Sequence, residues 1–327
     1  MTYELERRVA LEAVIKACKL CSAVQAAHLA GGVIDKEDKS PVTVADFGAQ
    51  AVVSDHLSVS FPRDPLVGEE DSELLQQPEN ARIKEAVLKH AQRIAPQLKE
   101  KETFAAIDRG NAEGGSKGRF WTLDPIDGTK GFLRGDQYAV ALALIEDGQI
   151  RLGVLGCPSL PLVSLQGQGG SLFVAVRGEG STIRLIDRAE EKTIRVAGIT
   201  DPSGALFCES FESSHSSHDD MAEIIKILGV KQPPLRMDSQ AKYGILARGD
   251  GTVYLRLPTK QSYVEKIWDH AAGCILVEEA GGTVTDLNGK PLDFSQGKTL
   301  IKNKGVIATN GKLHNIVLST VQRVVHL

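Results

Sequence analysis

One stretch, Trp121-Thr-Leu-Asp124-Pro-Ile-Asp127-Gly-Thr129-Lys-Gly-Phe132, constrains this chain more than any other. The apolar run from Phe120 to Leu123 has the composition of a strand. It ends in two aspartates three residues apart, followed at once by Gly128 and Thr129. Asp-Pro and Asp-Gly are turn formers, so the strand is predicted to give way to a turn over Pro125 and Gly128. Such a turn delivers two carboxylates to the end of a sheet and leaves the Gly128 and Thr129 amides at the start of the next element. Hard cations such as Mg²⁺ take oxygen ligands, commonly one or two carboxylates together with phosphate oxygens. Backbone amides at a helix start offer an anion site. For an isolated D-x-x-D-G, a surface turn with two solvated aspartates is the commoner explanation, so the rest of the chain has to decide.

With 327 residues, 42% of them hydrophobic, the chain buries a large core as one unit or as two packed subdomains. A net charge of −4 gives no long-range attraction for polyanions, which argues against a nucleic-acid groove or a polybasic membrane surface. An anionic substrate then has to be held by local charge. No apolar run long enough to span a membrane is free of charge. The N-terminus, Met1-Thr-Tyr-Glu-Leu-Glu, is acidic at once and lacks a signal pattern, so the chain reads as intracellular, with a cytoplasmic location expected. Five scattered cysteines suit a reducing compartment; Cys18 and Cys21 form a C-x-x-C inside a helical pattern and read as packing residues.

Along the chain, apolar residues from Leu5 to Val24 recur at helical spacing, with a stop at Gly31-Gly32. Ala45 to Leu57 reads as a second helix with Asp46 in its first turn, where the helix dipole alone is reason enough for a carboxylate. Pro65 to Gly68 is a short strand running into Glu69-Glu70-Asp71, Arg82 to Ile94 a surface helix, and Thr103 to Ile107 a strand. Tyr138 to Glu146 and Ile150 to Leu155 form a hairpin around Asp147-Gly148, and Leu172 to Val176 pairs with Thr182 to Ile186. The Gly/Ser/Gln-rich segment from Gln166 to Ser171 marks the expected junction between an N-terminal α+β subdomain (1–168) and a C-terminal α/β subdomain (169–327). Beyond it, strands (206–208, 253–257, Val284, 306–308) alternate with helices (219–228, 269–280, and a last one from Asn310), which predicts an α/β unit with much parallel pairing. Asp269 is predicted at the N-cap or first turn of its helix, a position that needs no function.

The string from Trp121 to Phe132 resembles a signature of the lithium-sensitive, Mg²⁺-dependent phosphatases of the inositol monophosphatase and fructose-1,6-bisphosphatase superfamily. Ser40-Pro-Val-Thr-Val-Ala-Asp46 is similar to the family segment whose aspartate supports a catalytic threonine, and Gly68-Glu69-Glu70 resembles its metal-ligand loop. Trp268-Asp269-His-Ala-Ala-Gly273, standing before Glu279-Ala-Gly-Gly282, resembles the second signature, whose aspartate completes the metal site. Three more strings narrow the resemblance: Glu209 to Asp219 with its His215-Ser-Ser-His218, Met237-Asp238-Ser239-Gln-Ala-Lys242-Tyr243, and Val253-Tyr-Leu-Arg256-Leu-Pro258. Together they resemble the 3′(2′),5′-bisphosphate nucleotidases of the eukaryotic salt-tolerance type, over a span from about Ser40 to Asn310.

This resemblance implies an α-β-α-β-α sandwich of the inositol monophosphatase type. It implies two to three Mg²⁺ ions: one on Glu69, Asp124 and the Ile126 carbonyl, a second on Asp124, Asp127 and Asp269, and a looser third near Glu69. Thr129, hydrogen-bonded to Asp46, would orient the attacking water, and the Gly128 and Thr129 amides would bind the scissile phosphate. A nucleotide pocket would fall on His215, Ser239, Lys242 and Arg256, with the choice between His215 and His218 open. The implied reaction converts adenosine 3′,5′-bisphosphate to AMP and phosphate, with 3′-phosphoadenosine 5′-phosphosulfate as a second substrate, in the context of sulfur assimilation and salt tolerance. Two alternatives stay open: an inositol polyphosphate 1-phosphatase, and a non-catalytic phosphonucleotide sensor. The expected partner is a small phosphonucleotide, with no nucleic acid or membrane, and the chain as a monomer or homodimer.

Overall fold

The structure is a computed structural model that describes residues 2–30, 40–162, 169–211, 217–259 and 262–326. Two long helices, α1 (Glu4–Ala30) and α2 (Ser40–Ser60), open the chain. Strand β1 (Leu66–Gly68) is followed by three helices at the edge of this layer, α3 (Glu73–Gln76), α4 (Ala81–Ile94) and α5 (Glu100–Asp108). Then come β2 (Arg119–Asp127), the short α6 (Thr129–Arg134), and the run β3 (Ala139–Glu146), β4 (Gln149–Cys157), β5 (Ser171–Val176), β6 (Gly180–Leu185) and β7 (Lys192–Ile194). These strands form one sheet in sequence order, parallel between β1 and β2 and antiparallel thereafter. Strands on both sides of residue 168 therefore belong to the same sheet.

The rest supplies β8 (Phe207–Glu209), α7 (His218–Ile227), β9 (Leu235–Arg236), α8 (Ala241–Ala247), β10 (Val253–Arg256), α9 (Ala271–Glu279), β11 (Thr283–Thr285), β12 (Val306–Thr309) and α10 (His314–Val324). Its five-stranded sheet runs β11-β12-β10-β8-β9. Strand β8 is parallel to both of its neighbours, while β12 is antiparallel to β10 and β11. Two of the four pairings in this sheet are therefore parallel, in keeping with the alternating elements, and two are antiparallel because β12 returns beside β10 in the reverse direction.

Three cores explain the layering. Val140, Leu142 and Leu144 of β3 point to one face and pack with Val14, Leu20 and Val52 of α1 and α2. The intervening Ala139, Ala141 and Ala143 point to the other face and meet Tyr243, Ile275 and Leu276 of α8 and α9. Side chains alternate across a strand, so a strand covered on both faces reads as one unbroken apolar run, and residues 139–145 do. Helices α8 and α9 also cover the second sheet, through Tyr254 and Ala308. On its far side Leu255 and Ile307 pack against Ile224 of α7 and Val317 of α10. The order of layers is α-β-α-β-α, as the resemblance implies.

Several elements depart from the sequence reading. Thr103–Ile107 lies in helix α5: Thr103, Ala106 and Ile107 are buried at helical spacing, and Glu100 and Glu102 occupy the first turn. A five-residue apolar run does not separate the two periods, and here the tertiary contacts select the helix. Helix α2 is already formed at Ser40, the first residue described after 30. Asp46 therefore lies beyond the first turn and is buried, so the helix dipole does not account for it. Helix α10 starts at His314, after a turn in which Asn310 Oδ1 accepts the Leu313 N–H at 3.1 Å. Cys18 and Cys21 are buried free thiols of α1. No helix among the described residues is long and apolar enough to cross a membrane.

Candidate active site

Strand β2 does not stop at Leu123 but continues through Pro125 to Asp127. Asp124 and Asp127 are three apart, and in a regular strand that spacing sends side chains to opposite faces. The pairing with β3 is irregular at this point: Asp124 sits opposite Ala141 and Asp127 opposite Ala139, so three steps on β2 match two on β3. A bulge of this kind adds one residue and re-aims the side chains beyond it. Both carboxylates consequently line one cavity of about 330 Å³. Gly128 then takes φ 88°, a left-handed turn that a side chain disfavours, and a Cβ there would stand 2.9 Å from Ser239 Cβ.

The cavity lies at the ends of β1, β2 and β10, beside the starts of α6, α8 and α9. Glu69, Asp124, Ile126, Asp127, Gly128, Thr129, Ser239, Lys242, Arg256 and Asp269 all line it, so it gathers ten of the twelve expected site residues. Glu69 is delivered by the loop after β1, which Gln50 of α2 braces: Gln50 Oε1 accepts the Glu70 N–H at 3.1 Å and Nε2 donates to the Ile107 carbonyl at 2.9 Å. Asp269 precedes α9, whose N-cap is His270. The expected N-cap role for Asp269 is therefore not its position; it is free of helix capping and turns into the cavity.

Asp46 stands behind this wall and does not line the cavity. Its Oδ1 has no hydrogen-bond partner, and among the described residues no hydrogen bond joins it to Thr129. Burial, then Glu70 and Glu69, raise its carboxyl well above the ordinary range. His215 lies outside the described residues. His218 opens α7 with Nε2 3.1 Å from the Ser210 carbonyl and is not part of the cavity wall, although Ser210 is.

Carboxylates crowd one another here. Burial, then Asp269, Glu70 and Asp127, push Glu69 up to about 8. Burial, then Glu69, Asp127 and Asp269, raise Asp124 well above its usual value, and its buried Oδ1 is unpartnered. Asp269 is pushed up to about 6 by burial, with Arg256 and His270 pulling the other way. Like charges at close range oppose ionisation, and the raised Glu69, Asp124 and Asp269 of this cluster show that the cations nearby do not offset burial and mutual repulsion. Its donors are all oxygen, and with an orphaned carboxylate oxygen among them they fit a hard divalent cation.

A second acidic grouping has a different character. Ligand atoms of Glu265, Asp269 and His270 lie within 4.8 Å of one another, yet Glu265 is already satisfied. Arg256 Nε donates to it at 2.9 Å and His270 Nε2 lies 3.1 Å away. Burial would raise the Glu265 carboxyl, but these two partners hold it below its usual value. Glu265 is thus taken up by Arg256 and His270, which leaves Asp269 as the member of this grouping that lines the cavity.

Cations line the same cavity. Lys242 is buried, donates to the Met237 carbonyl at 3.1 Å, and has its Nζ 5.2 Å from the centre of the Tyr254 ring. Burial lowers its pKa to about 8 despite the pull of Asp127. Lys266 and Tyr263 also line the cavity. Sequence reasoning missed Gln240, Glu265, His270, Tyr263 and Lys266. Their only signal was position, inside or just upstream of the strings around Lys242 and Asp269.

Residues 2–326 match the inositol monophosphatase family. A 3′(2′),5′-bisphosphate nucleotidase of Arabidopsis thaliana is 49% identical, over 98% of this chain and 97% of that one. Enzymes of the same name from Oryza sativa and Schizosaccharomyces pombe are each 46% identical, covering 98% and 94% of this chain and 94% and 92% of their own. Among solved structures, inositol monophosphatase II of Staphylococcus aureus superposes with a TM-score of 0.64 at 16% identity, covering 98% of this chain and 95% of its own. The inositol monophosphatase of Zymomonas mobilis superposes at 0.63 and 22%, over 98% and 99%. At those identities the likeness establishes the fold. The bulged β2, the acidic cavity and the near-full-length sequence match agree: this chain belongs to the inositol monophosphatase family, and it is similar throughout to that family's 3′(2′),5′-bisphosphate nucleotidases.

Proposed function

We propose that this chain is a Mg²⁺-dependent, Li⁺-sensitive phosphatase that hydrolyses the 3′-phosphate of adenosine 3′,5′-bisphosphate to AMP and phosphate, and that it also accepts 3′-phosphoadenosine 5′-phosphosulfate. The observation that carries this reading is one cavity lined both by the carboxylates Glu69, Asp124, Asp127 and Asp269 and by the cations Lys242, Arg256 and Lys266. A substrate with one phosphate to lose and another to keep needs both. A volume of about 330 Å³ is at the small end for organic ligands. The names of the relatives point the same way.

In this reading Glu69, Asp124 and the Ile126 carbonyl would hold one Mg²⁺, and Asp124, Asp127 and Asp269 a second, with room for a looser third beside Glu69. Ions bound there lower the pKa of water and neutralise charge on a departing oxygen. Thr129 orients the attacking water through its hydroxyl. Because a hydroxyl is a poor base alone, Asp46 is its proton acceptor once the two groups come within reach. The Gly128 and Thr129 amides hold the scissile phosphate. Lys242 and Arg256 compensate the 5′-phosphate that is retained, with Ser239 and His215 at the nucleoside. Li⁺ competes for the same oxygens.

The test is phosphate release from adenosine 3′,5′-bisphosphate with Mg²⁺, with and without Li⁺, beside inositol 1,4-bisphosphate. Lithium-blocked release favouring the nucleotide is expected. Release from the inositol substrate alone would overturn the substrate assignment, and metal binding without release from either would make the protein a sensor.

A further inference from the structure

Arg256, the last residue of β10, reaches the cavity from the second sheet. An arginine side chain has many rotamers and about 2 kcal/mol of rotamer entropy to lose. Here its Nε donates to Glu265 at 2.9 Å, and a terminal nitrogen donates to Tyr263 Oη at 3.2 Å. That terminal nitrogen also lies 3.9 Å from Asp269 Oδ2, a carboxylate the guanidinium could take as its partner if Glu265 were gone.

Glu265 is itself held. It is 3% exposed, and a carboxylate so deeply buried is tolerated only when paired. Its second partner is His270 Nε2 at 3.1 Å, and His270 Nδ1 lies 2.8 Å from Tyr243 Oη. An ionised carboxylate only accepts, so Nε2 carries the hydrogen toward Glu265, while Nδ1 stands at hydrogen-bond distance from the Tyr243 hydroxyl. Tyr243 in turn lies flat on α9 at Gly273, where a Cβ would come within 2.2 Å of its ring. A buried relay, Tyr243–His270–Glu265–Arg256, thus runs from α8 past the start of α9 to the cavity.

We propose that Glu265 is a positioning residue for substrate selection: by fixing Arg256 it makes the cavity prefer phosphate monoesters that carry a second, non-scissile phosphate. The inference rests on the proposed function, in which Arg256 meets that second phosphate. Glu265 touches no substrate. It holds Nε so that the terminal nitrogens stay at the cavity edge, and it keeps the guanidinium from collapsing onto Asp269.

The measurement is the ratio of kcat/KM for adenosine 3′,5′-bisphosphate to kcat/KM for adenosine 3′-monophosphate, in the wild type, Glu265→Ala, Glu265→Gln, Arg256→Ala and the double alanine variant. Glu265→Ala is expected to lower the ratio about tenfold. Glu265→Gln, which keeps an oxygen for Nε, recovers part of it. With Arg256→Ala in place, adding Glu265→Ala moves the ratio no further, because the two act as one unit. If Arg256→Ala collapses the ratio and Glu265→Ala leaves it at the wild-type value, the role of Glu265 is overturned while the nucleotide reading stands. Equal losses on both substrates, with the ratio intact, would mean that Glu265 serves only folding or Asp269, and would also overturn it. A wild-type ratio near one would remove the nucleotide reading and this inference with it. Should Glu265→Ala fail to fold, Glu265→Gln carries the same comparison: a lowered ratio supports the role and an unchanged one refutes it.

Discussion

The backbone N–H of Gln240 donates to Asp127 Oδ2 at 2.5 Å, which ties the start of α8 to the end of β2. Ser239 makes this possible by adopting φ 67°, a left-handed conformation that is uncommon for a residue with a side chain. The Gln240 side chain extends the tie. Its Nε2 donates to the Trp268 carbonyl at 2.8 Å, and its Oε1 accepts the Gly273 N–H at 3.1 Å. One residue therefore sets the positions of Asp127 and Asp269 relative to each other.

Replacing Gln240 by leucine keeps the bulk but strands two buried backbone groups. Each unsatisfied group costs about 1–3 kcal/mol. The expected result is a lower urea midpoint at constant slope, together with reduced kcat, since Asp269 loses its brace. A variant as stable as the wild type would refute the clamp.

Gly128→Ala adds a methyl group 2.9 Å from Ser239 Cβ at φ 88°. The left-handed conformation alone costs about 1–2 kcal/mol for a residue with a Cβ. The contact pushes on the loop that carries Asp127 and Ser239. Phosphate release should fall by about 10²-fold or more while the fold survives, as followed by circular dichroism on the same sample.

Asp46→Asn and Thr129→Ala are each expected to remove most turnover and to leave metal binding largely intact, because neither residue is counted among the ligands. Losses of about 10²- to 10⁴-fold in kcat are the range for a proton-transfer group. Titration calorimetry with Mg²⁺ supplies the second readout. Wild-type turnover in either variant would dispose of the pair.

Acid crowding sets a pH dependence in metal-free protein. Glu69 titrates near 8 and Asp269 near 6 in the folded state, both above the values of an unfolded chain, so the folded protein retains protons that the unfolded chain releases. Stability from this source is fully present below the unfolded carboxyl range and is lost as pH rises through 6 and then 8. Melting temperature in EDTA should fall across that window. Added Mg²⁺, which binds the ionised form, should raise it most at the alkaline end. A flat profile in EDTA would contradict the crowding.

Lys242→Met removes the buried ammonium from the cavity and keeps all four carboxylates of the site in the chain. KM should rise more for adenosine 3′,5′-bisphosphate than for an inositol phosphate, by about tenfold in the comparison. Equal shifts for both would mean that Lys242 does not meet the nucleotide.

Much of the acidic wall was legible in the chain itself. Glu69, Asp124, Asp127 and Asp269 each stand in short strings whose residue types suit oxygen ligation, and turn chemistry at Gly128 marks where a strand ends. The hairpin at Asp147-Gly148 and the helix at Ala81–Ile94 were readable for the same reason: turn preference and helical period are local properties of the chain. Other features depend on partners distant in sequence. Thr103–Ile107 is too short for its own period to settle between strand and helix. The bulge that brings Asp124 and Asp127 to one face exists only against β3. The buried pairing of Glu265 with Arg256 and His270 joins a strand end to a helix start, and no spacing along the chain announces it. Sequence alone determined which groups could do chemistry, because that depends on side-chain type. Tertiary structure decided which of them face one another, because hydrogen-bond register and burial are settled only when the layers pack.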